Sequence, residues 1–545
     1  MRLYPTILVA LLCLSFTACG ASCAYSKCEK PKNEKVTVRE QALIVDIGMQ
    51  AHKEYVVRER IDLKGTQVNV PEGVTITFKK GGAIVNGTLN GNGTKLNSKT
   101  DEVLGVKLKG TWRVDKISDL VFSKEYLSDT EIINNLNAIQ SDAMTNEVTI
   151  NRDYHIAIAK SGGAGLLPSS HSTILLKGTI SLEGNGYKTY QIIDIKNKED
   201  VTVKGGRIVG DVGKHTYIEG TTSEWGMGIN IMQSKDVTLA DLYITKCTGD
   251  GIYISGGNEP AIGVYDKASK NVVIRNLTCD DNRRQGLSVV HVDGLTVRDC
   301  SFINTGKTEF TGPGDGVDIE PNVSNGRNMS VRNIVVDNCI IKNNAGVAVS
   351  SSCSYENSGV TNHENILFTN CTTDGRLSAK SNDLTFRKCT FKEVRFAGVY
   401  APTHITIEDC TISGGYGFVI YAPSGHAERY KDCLLSLDIT NCTISVAEGE
   451  TETNSLISCY KSYVDNLGYV KIHNCRLVVP QTKSQSYKLT DYSFKDKLLI
   501  TSSDIDMVGR DFDATGMMLD NNKIRCRQAI KLQSKGRNRV MTDKL

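Results

Sequence analysis

The segment GDGVDIEP places Asp315, Asp318 and Glu320 close together, and the earlier GDG at 249–251 carries Asp250. Between them lies DNRRQG, with Arg283 and Arg284. On a strand, Asp318 and Glu320 project from one face with their Cα atoms about 6.6 Å apart. Carboxylates crowded in one cleft raise one another's pKa while nearby arginines lower it, so one acid keeps its proton and another stays ionised. Cleavage of a glycosidic bond needs that division, with carboxyls about 6.5–9.5 Å apart for inversion and about 5–5.5 Å for retention. The spacing favours inversion. Further candidates are Glu224 and Trp225 in TSEWGMG, Tyr253 in GDGIYI, and His291. An indole on a lip stacks on a sugar ring, and a histidine shuttles protons near neutral pH. Each group also has a plain structural reading: Asp beside Gly as a turn residue, the arginines as neutralising partners, Trp225 as packing, His291 as a surface residue.

A repeat must position these groups. The unit apolar-x-apolar-x-[Asp/Asn/Lys]-Cys-x-[Ile/Phe/Leu] surrounds Cys300, Cys339, Cys389, Cys410, Cys442 and Cys475, with a degraded copy at Cys371. Leu242 and Leu277 fill the same slot earlier. Each unit reads as one coil of a solenoid. Alternation then turns Leu295, Val297, Cys300 and Phe302 inward, with a bend at Arg298-Asp299. Stacked cysteines at about 4.8 Å spacing form a ladder of small buried thiols. No CxxC or His partner marks the column as a metal site.

A second column, Gly-apolar-x-apolar, begins at Gly228, Gly251, Gly286, Gly316 and Gly346, and again near Gly417. It aligns Asn230, Tyr253, Ser288, Asp318 and Ala348 in one outward row, and Met232, Ser255, Val290, Glu320 and Ser350 in the next. Asp250 and Asp315 fall two coils apart, about 9.6 Å at the backbone. Insertions at 211–226, 257–268 and 306–314 adjoin these coils and would wall a cleft.

Lys+Arg 64 against Asp+Glu 61 gives a net charge of +3, which excludes the basic field that non-specific nucleic-acid binding needs. Only 10 Pro suits many short strands joined by tight turns. The span Ser128–Ala143 is the helical candidate, with Ile132, Ile133, Leu136 and Ile139 at helical spacing, placed to cap the first coil. At the amino terminus, Arg2, an apolar run from Thr6 to Phe16 and small residues after it have the layout of a secretory signal, too short to span a bilayer. LSFTACG resembles a bacterial lipobox, which implies lipidation at Cys19; Cys23 is a second choice and simple cleavage near Ala18 or Ala24 the alternative. The expected layout is a signal peptide at 1–18, a lipidated tether at 19–40, a short-strand β region at 41–127 and a right-handed parallel β-helix at 128–545. The expected location is the bacterial cell envelope, with the outer membrane reached only through the lipid.

The Gly column, GDGIYI and the opening stretch VNVPEGVTITFKKGGAIVNGTLNGNGT resemble the pectate-lyase-like superfamily of right-handed parallel β-helices, in style from about Ile44 to Ile505. Together SEWGMGI, GDGIYI, NRRQG and GDGVDIEP resemble exported and phage-associated β-helix proteins related to polygalacturonase-type glycoside hydrolases. That resemblance implies a polysaccharide or oligosaccharide ligand. The polygalacturonase set of NTD, a DD pair, GHG and RIK is absent, so the resemblance reaches fold and ligand class. Three functions stay open. The first is a hydrolase using Asp318, Glu320, Asp315 and Asp250 without a cofactor. The second is a lyase or uronate epimerase, with Arg283 or Arg284 neutralising a uronate and Asp318 and Glu320 holding Ca²⁺. The third is a non-catalytic glycan-binding surface protein.

Overall fold

A computed structural model describes residues 35–38, 48–140, 147–259, 264–321, 329–352, 362–379, 383–397, 403–414, 417–421, 434–446, 455–459, 465–479, 487–491, 494–530 and 537–542. Cys19 and the rest of residues 1–34 lie outside the described residues.

One path repeats along most of the chain. In a representative coil, Gln285–Val289 leads into Val292–Arg298, then Ser301–Ile303, and the chain returns as Asp315–Ile319 beside its starting strand. Every such return pairs in parallel, as Leu287↔Val317 and Ser288↔Asp318 do. Among the described residues the stacked strands form three parallel sheets of 12, 15 and 15 strands, so most strands have a partner on both sides. We call the 12-stranded one, which includes Asp250–Ser255 and Asp315–Ile319, the site sheet.

The corners explain the cysteine repeat. Asp299, Asn338, Asn370, Asp409, Asn441 and Asn474 all adopt positive φ between the second and third strands of their coils. Asn and Asp tolerate that left-handed conformation because their short polar side chains bond locally. They also stack: Asn338 Nδ2 donates to Asp299 Oδ1 at 2.7 Å, and Asn474 Nδ2 to Asn441 Oδ1 at 2.8 Å. The next residue turns inward, and in seven successive coils it is Cys300, Cys339, Cys371, Cys389, Cys410, Cys442 and Cys475, all buried and free of disulfides. Cys389 N–H donates to Cys410 Sγ at 3.3 Å, Cys410 N–H to Cys442 Sγ at 3.4 Å, and Cys442 N–H to Cys475 Sγ at 3.3 Å. The column ends with oxygen in the same role, Cys475 N–H donating to Ser503 Oγ at 3.0 Å. A thiol thus satisfies a corner N–H of the preceding coil while packing as a small hydrophobe. Thiol-reactive labelling of the native protein is expected to miss Cys300, Cys339, Cys410 and Cys442 and to reach them after denaturation; rapid native labelling of several of them would overturn this register.

The helix forms at Asp129–Ile139, four residues short of the predicted end, and 141–146 lie outside the described residues. Ser128 and Glu131 close a capping box at its start. Ile132, Ile133, Leu136 and Ile139 are buried. Its polar residues cover two strand edges. Asn135 accepts from Leu108 N at 2.7 Å and donates to Val106 O at 2.9 Å, while Asn137 accepts from Leu167 N at 2.8 Å and donates to Gly165 O at 2.6 Å. Gly163–Leu166 is the first strand of the site sheet, so the helix covers that end of the sheet that carries the acids. Upstream, a separate seven-stranded sheet spans Lys35–Val38 to Leu104–Arg113, and one hydrophobic cluster extends from Val57 to Cys526. No helix among the described residues is long and apolar enough to cross a membrane.

Candidate active site

The outward row of the site sheet runs Asp194, Asn230, Tyr253, Ser288, Asp318 by direct pairing. Its next member is Ser350 and not the expected Ala348, which is buried. The register slips by two because Ala348, not Gly346, occupies the place of Gly316: Val317 N–H donates to Ala348 O at 3.0 Å. Gly346 has another task, since a Cβ there would come within 2.3 Å of Asp315 Oδ1. Ser255, expected outward, is buried and donates to Gly256 O.

Asp250, Gln285 and Asp315 pair across three coils at the entry to their strands. A Cβ on the following Gly251 would press on Asn282 Nδ2 at 2.7 Å and Cys279 Sγ at 2.9 Å, and one on Gly316 would meet Ile341 Cγ2 at 2.3 Å. Those glycines therefore turn their Cβ side to the core, and the residue before each faces the acid row. A hydrogen-bonded chain results. Arg284 Nη1 donates to Asp250 at 3.2 and 3.1 Å and to Gln285 Oε1 at 2.8 Å. Ser288 Oγ lies 2.7 Å from Asp250 Oδ2 and also against Gln285 Oε1, and Gln285 Nε2 donates to Asp318 Oδ2. Asp315 Oδ1 accepts from Val347 N at 2.8 Å.

Asp318 is only 4% exposed, and its Oδ1 is the one buried carboxylate oxygen among the described residues that lacks a hydrogen-bond partner. Burial holds this carboxyl well above the ordinary range, Glu320 and Asp315 push the same way, and Arg284 pulls against them. Burial raises Asp315 to about 6, opposed by the Val347 hydrogen bond and the charges of Arg376 and Arg284. Burial raises Asp250 too, opposed by Arg284 and Ser288. Glu320, two residues beyond Asp318, is exposed. The site therefore combines a buried carboxyl whose pKa is raised with a solvent-facing carboxyl at the same strand end.

The other sequence candidates divide sharply. Trp225 is 43% exposed, with its ring edge-on to Tyr253 at 6.0 Å and Arg284 Cζ 6.0 Å from its centroid. Glu224 stands 3.9 Å from Arg284 Nε. These flank the acid row. Arg284 Nη1 is held by Asp250 and Gln285. Arg283 Nη1 donates to Thr222 O at 2.8 Å, and its guanidinium covers the Tyr217 ring at 4.3 Å, pinning the 211–226 insertion. His291 is buried at the corner leading into the second sheet, with Nδ1 at 2.9 Å from Ser330 O, so it neither lies at the surface nor joins the row.

Sequence reasoning missed what joins the walls. Glu309, in the 306–314 insertion, accepts from Gly213 N at 3.0 Å and from the Tyr217 hydroxyl, tying that insertion to 211–226. Beneath, the buried Asp211 accepts from Tyr190 Oη at 2.5 Å and lies 2.7 Å from His215 Nδ1. At the exit end of Asp250–Ser255, Gly257–Glu259 and Val264–Lys267 form an antiparallel hairpin. No local sequence signal pairs Glu309 with residues nearly a hundred positions earlier.

A family model described as a right-handed β-helix region matches residues 156–373. The chain is a right-handed parallel β-helix. This β-helix is 30% identical over 231 residues to the SPbeta prophage-derived uncharacterized protein YorA of Bacillus subtilis (strain 168), covering 41% of this chain and 39% of that one. It is 33% identical over 134 residues to the uncharacterized protein YclG of the same strain, covering 24% and 23%. The chain thus spans well under half the length of these relatives. Among solved structures, the Azotobacter vinelandii mannuronan C-5 epimerase AlgE4 A-module matches 65% of this chain and 91% of its own at 12% identity and a TM-score of 0.43. A point mutant of the tailspike protein of E. coli bacteriophage HK620, in complex with a pentasaccharide, matches 76% and 78% at 11% identity and a TM-score of 0.45. These two likenesses concern the fold.

Proposed function

We propose that this β-helix is a polysaccharide-cleaving enzyme, a glycoside hydrolase in which Asp318 is the general acid and Glu320 the base for water. The observation that carries the reading is Asp318 itself: a buried carboxyl that favours its proton, with an oxygen awaiting a partner, next to an exposed acid. The Asp318 proton passes to the glycosidic oxygen as the C–O bond breaks. Water adds at the sugar carbon and gives its proton to Glu320. Gln285 fixes Asp318, while Arg284 and Ser288 compensate the buried Asp250. Trp225 and Tyr253 supply an apolar platform for a sugar ring. No resident cofactor enters this scheme. In the lyase reading Arg284 would act with its Nη1 held by Asp250 and Gln285. Export with acylation at Cys19 belongs to the same proposal.

Incubation with plant, host and bacterial glycans, read by product mass, tests the reaction. Products that gain water support hydrolysis; an unsaturated, ultraviolet-absorbing product means a lyase, and no product means a binder. The kcat/KM profile is expected to fall on the alkaline side as Asp318 loses its proton. Ionisation of Asp315 near pH 6 helps Asp318 keep that proton. In Asp315→Asn the alkaline limb should therefore move to lower pH, and an unmoved limb would reject this coupling.

A further inference from the structure

The insertions 211–226 and 306–314 lead into strands three steps apart in the site sheet, about 14 Å. Glu309 spans that gap, accepting from Gly213 N at 3.0 Å and from the Tyr217 hydroxyl. Its own insertion is fixed from below, where Asp281 accepts from Thr308 N at 2.9 Å and from Thr308 Oγ1 at 2.6 Å. Burial and the Glu309 bond push the Tyr217 hydroxyl above its ordinary pKa, so it stays a donor at neutral pH. From Tyr217 the contacts run on toward the acids. The Arg283 guanidinium lies on the Tyr217 ring at 4.3 Å, and Arg283 Nη1 donates to Thr222 O at 2.8 Å. The next residue, Ser223, is buried with a φ of +46°. A non-glycine residue in that left-handed region is held there by its surroundings. Ser223 leads directly into Glu224 and Trp225, which lie against the acid chain. A Cβ on Gly249, the residue before Asp250, would meet Glu224 O at 2.3 Å, and Trp225 stands edge-on to Tyr253.

We propose that Glu309 is a positioning residue: it clamps the two insertions into one wall and, through Tyr217, Arg283 and the strained Ser223, sets Trp225 against the acid row. The sugar contact at Trp225 rests on the glycan-cleaving reading above, whereas the mechanical link from Glu309 to Trp225 stands apart from it. The clamp has a physical purpose. An indole on a loose loop gives up its freedom when a ligand stacks on it, and that loss weakens binding. A wall already fixed by Glu309 has lost the freedom on folding, so the platform is ready before the ligand arrives.

Quenching of tryptophan emission by acrylamide reads the link without any glycan. The chain has two tryptophans, Trp112 fully buried and Trp225 43% exposed, so the quenchable emission belongs to Trp225. Trp225→Phe supplies the Trp112 background. Glu309→Ala and Tyr217→Phe should each raise the quenching of Trp225 and lower its anisotropy. The double variant should add little to Glu309→Ala, because both changes break one linkage. Ser223→Gly should loosen Trp225 while holding or raising the denaturant midpoint, since glycine adopts this φ without strain. A merely structural serine would not separate order from stability in that way. Unchanged Trp225 emission in Glu309→Ala and Tyr217→Phe, or additive effects of the two, would overturn the clamp. Kinetics supply the second arm. On a glycan that the panel above shows to be cleaved, Glu309→Ala should raise KM about tenfold, the size of one lost hydrogen bond. Its kcat should hardly move, because Asp318 and Gln285 are untouched. A fall in kcat at constant KM would reject the positioning role. Cleavage of no glycan rejects the catalytic reading alone, and the quenching result still decides the clamp.

Discussion

Asp318→Asn is expected to lower turnover on a cleaved glycan by at least about 10²-fold while leaving the coil intact. Asparagine matches the carboxyl in shape, and its Oδ1 still accepts the bond from Gln285 Nε2. What it lacks is the proton. Glu320→Gln should cost a similar factor with no loss of stability, because Glu320 is exposed. The stability of Asp318→Asn has a predictable pH dependence. The folded protein raises the Asp318 pKa, so the stability this group contributes is fully present below the ordinary Asp range and is lost as pH rises through its folded value. The neutral amide has nothing to lose. The variant should therefore match its parent in acid and exceed it in alkali, as read by denaturant midpoints at pH 5 and pH 9. Steady-state kinetics on the same preparations complete the test. Near-parental turnover in both variants would move the chemistry to Asp250, Asp315 and the Arg284 network.

The inward columns were readable from the chain because burial on a strand enforces a period of two and the stacking of coils repeats it. Cys300 and its successors announce both the corner and the core. Alternation has no power at a bend, however. The outward turn of Asp250, Gln285 and Asp315 depends on glycines whose Cβ direction is fixed by the core beside them. The slip at Ala348 arises for the same reason: Gly346 imitates the column glycine, yet it is small to clear Asp315. Arg283 and Arg284 are adjacent and chemically alike, and only the folded neighbours separate them, one sent to the Thr222 carbonyl and the other to Asp250.

Arg284→Met is expected to destabilise the protein by about 3–5 kcal/mol at pH 8, the usual consequence of stripping the partner from a buried charge. Asp250 is fully buried, and after the change its carboxylate keeps the Ser288 hydroxyl at 2.7 Å as its hydrogen-bond partner among the described residues. Arg284 is itself mostly buried at 15% exposure, so solvent does little to screen the pair. Burial already raises Asp250 against the opposition of Arg284, and losing that opposition raises it further. The sign follows: a raised folded pKa gives stability that is present below the ordinary Asp range and lost as pH climbs. The penalty should therefore be larger at pH 8 than at pH 5, and Asp250→Asn in the same background should recover much of it. A pH-independent penalty would mean that only packing was lost. Recovery of stability should not bring recovery of rate, because Arg284 also holds Gln285 Oε1 and so aims the amide that fixes Asp318. A double variant that is stable yet slow would separate the two duties of this arginine, compensation of a buried charge and alignment of the acid.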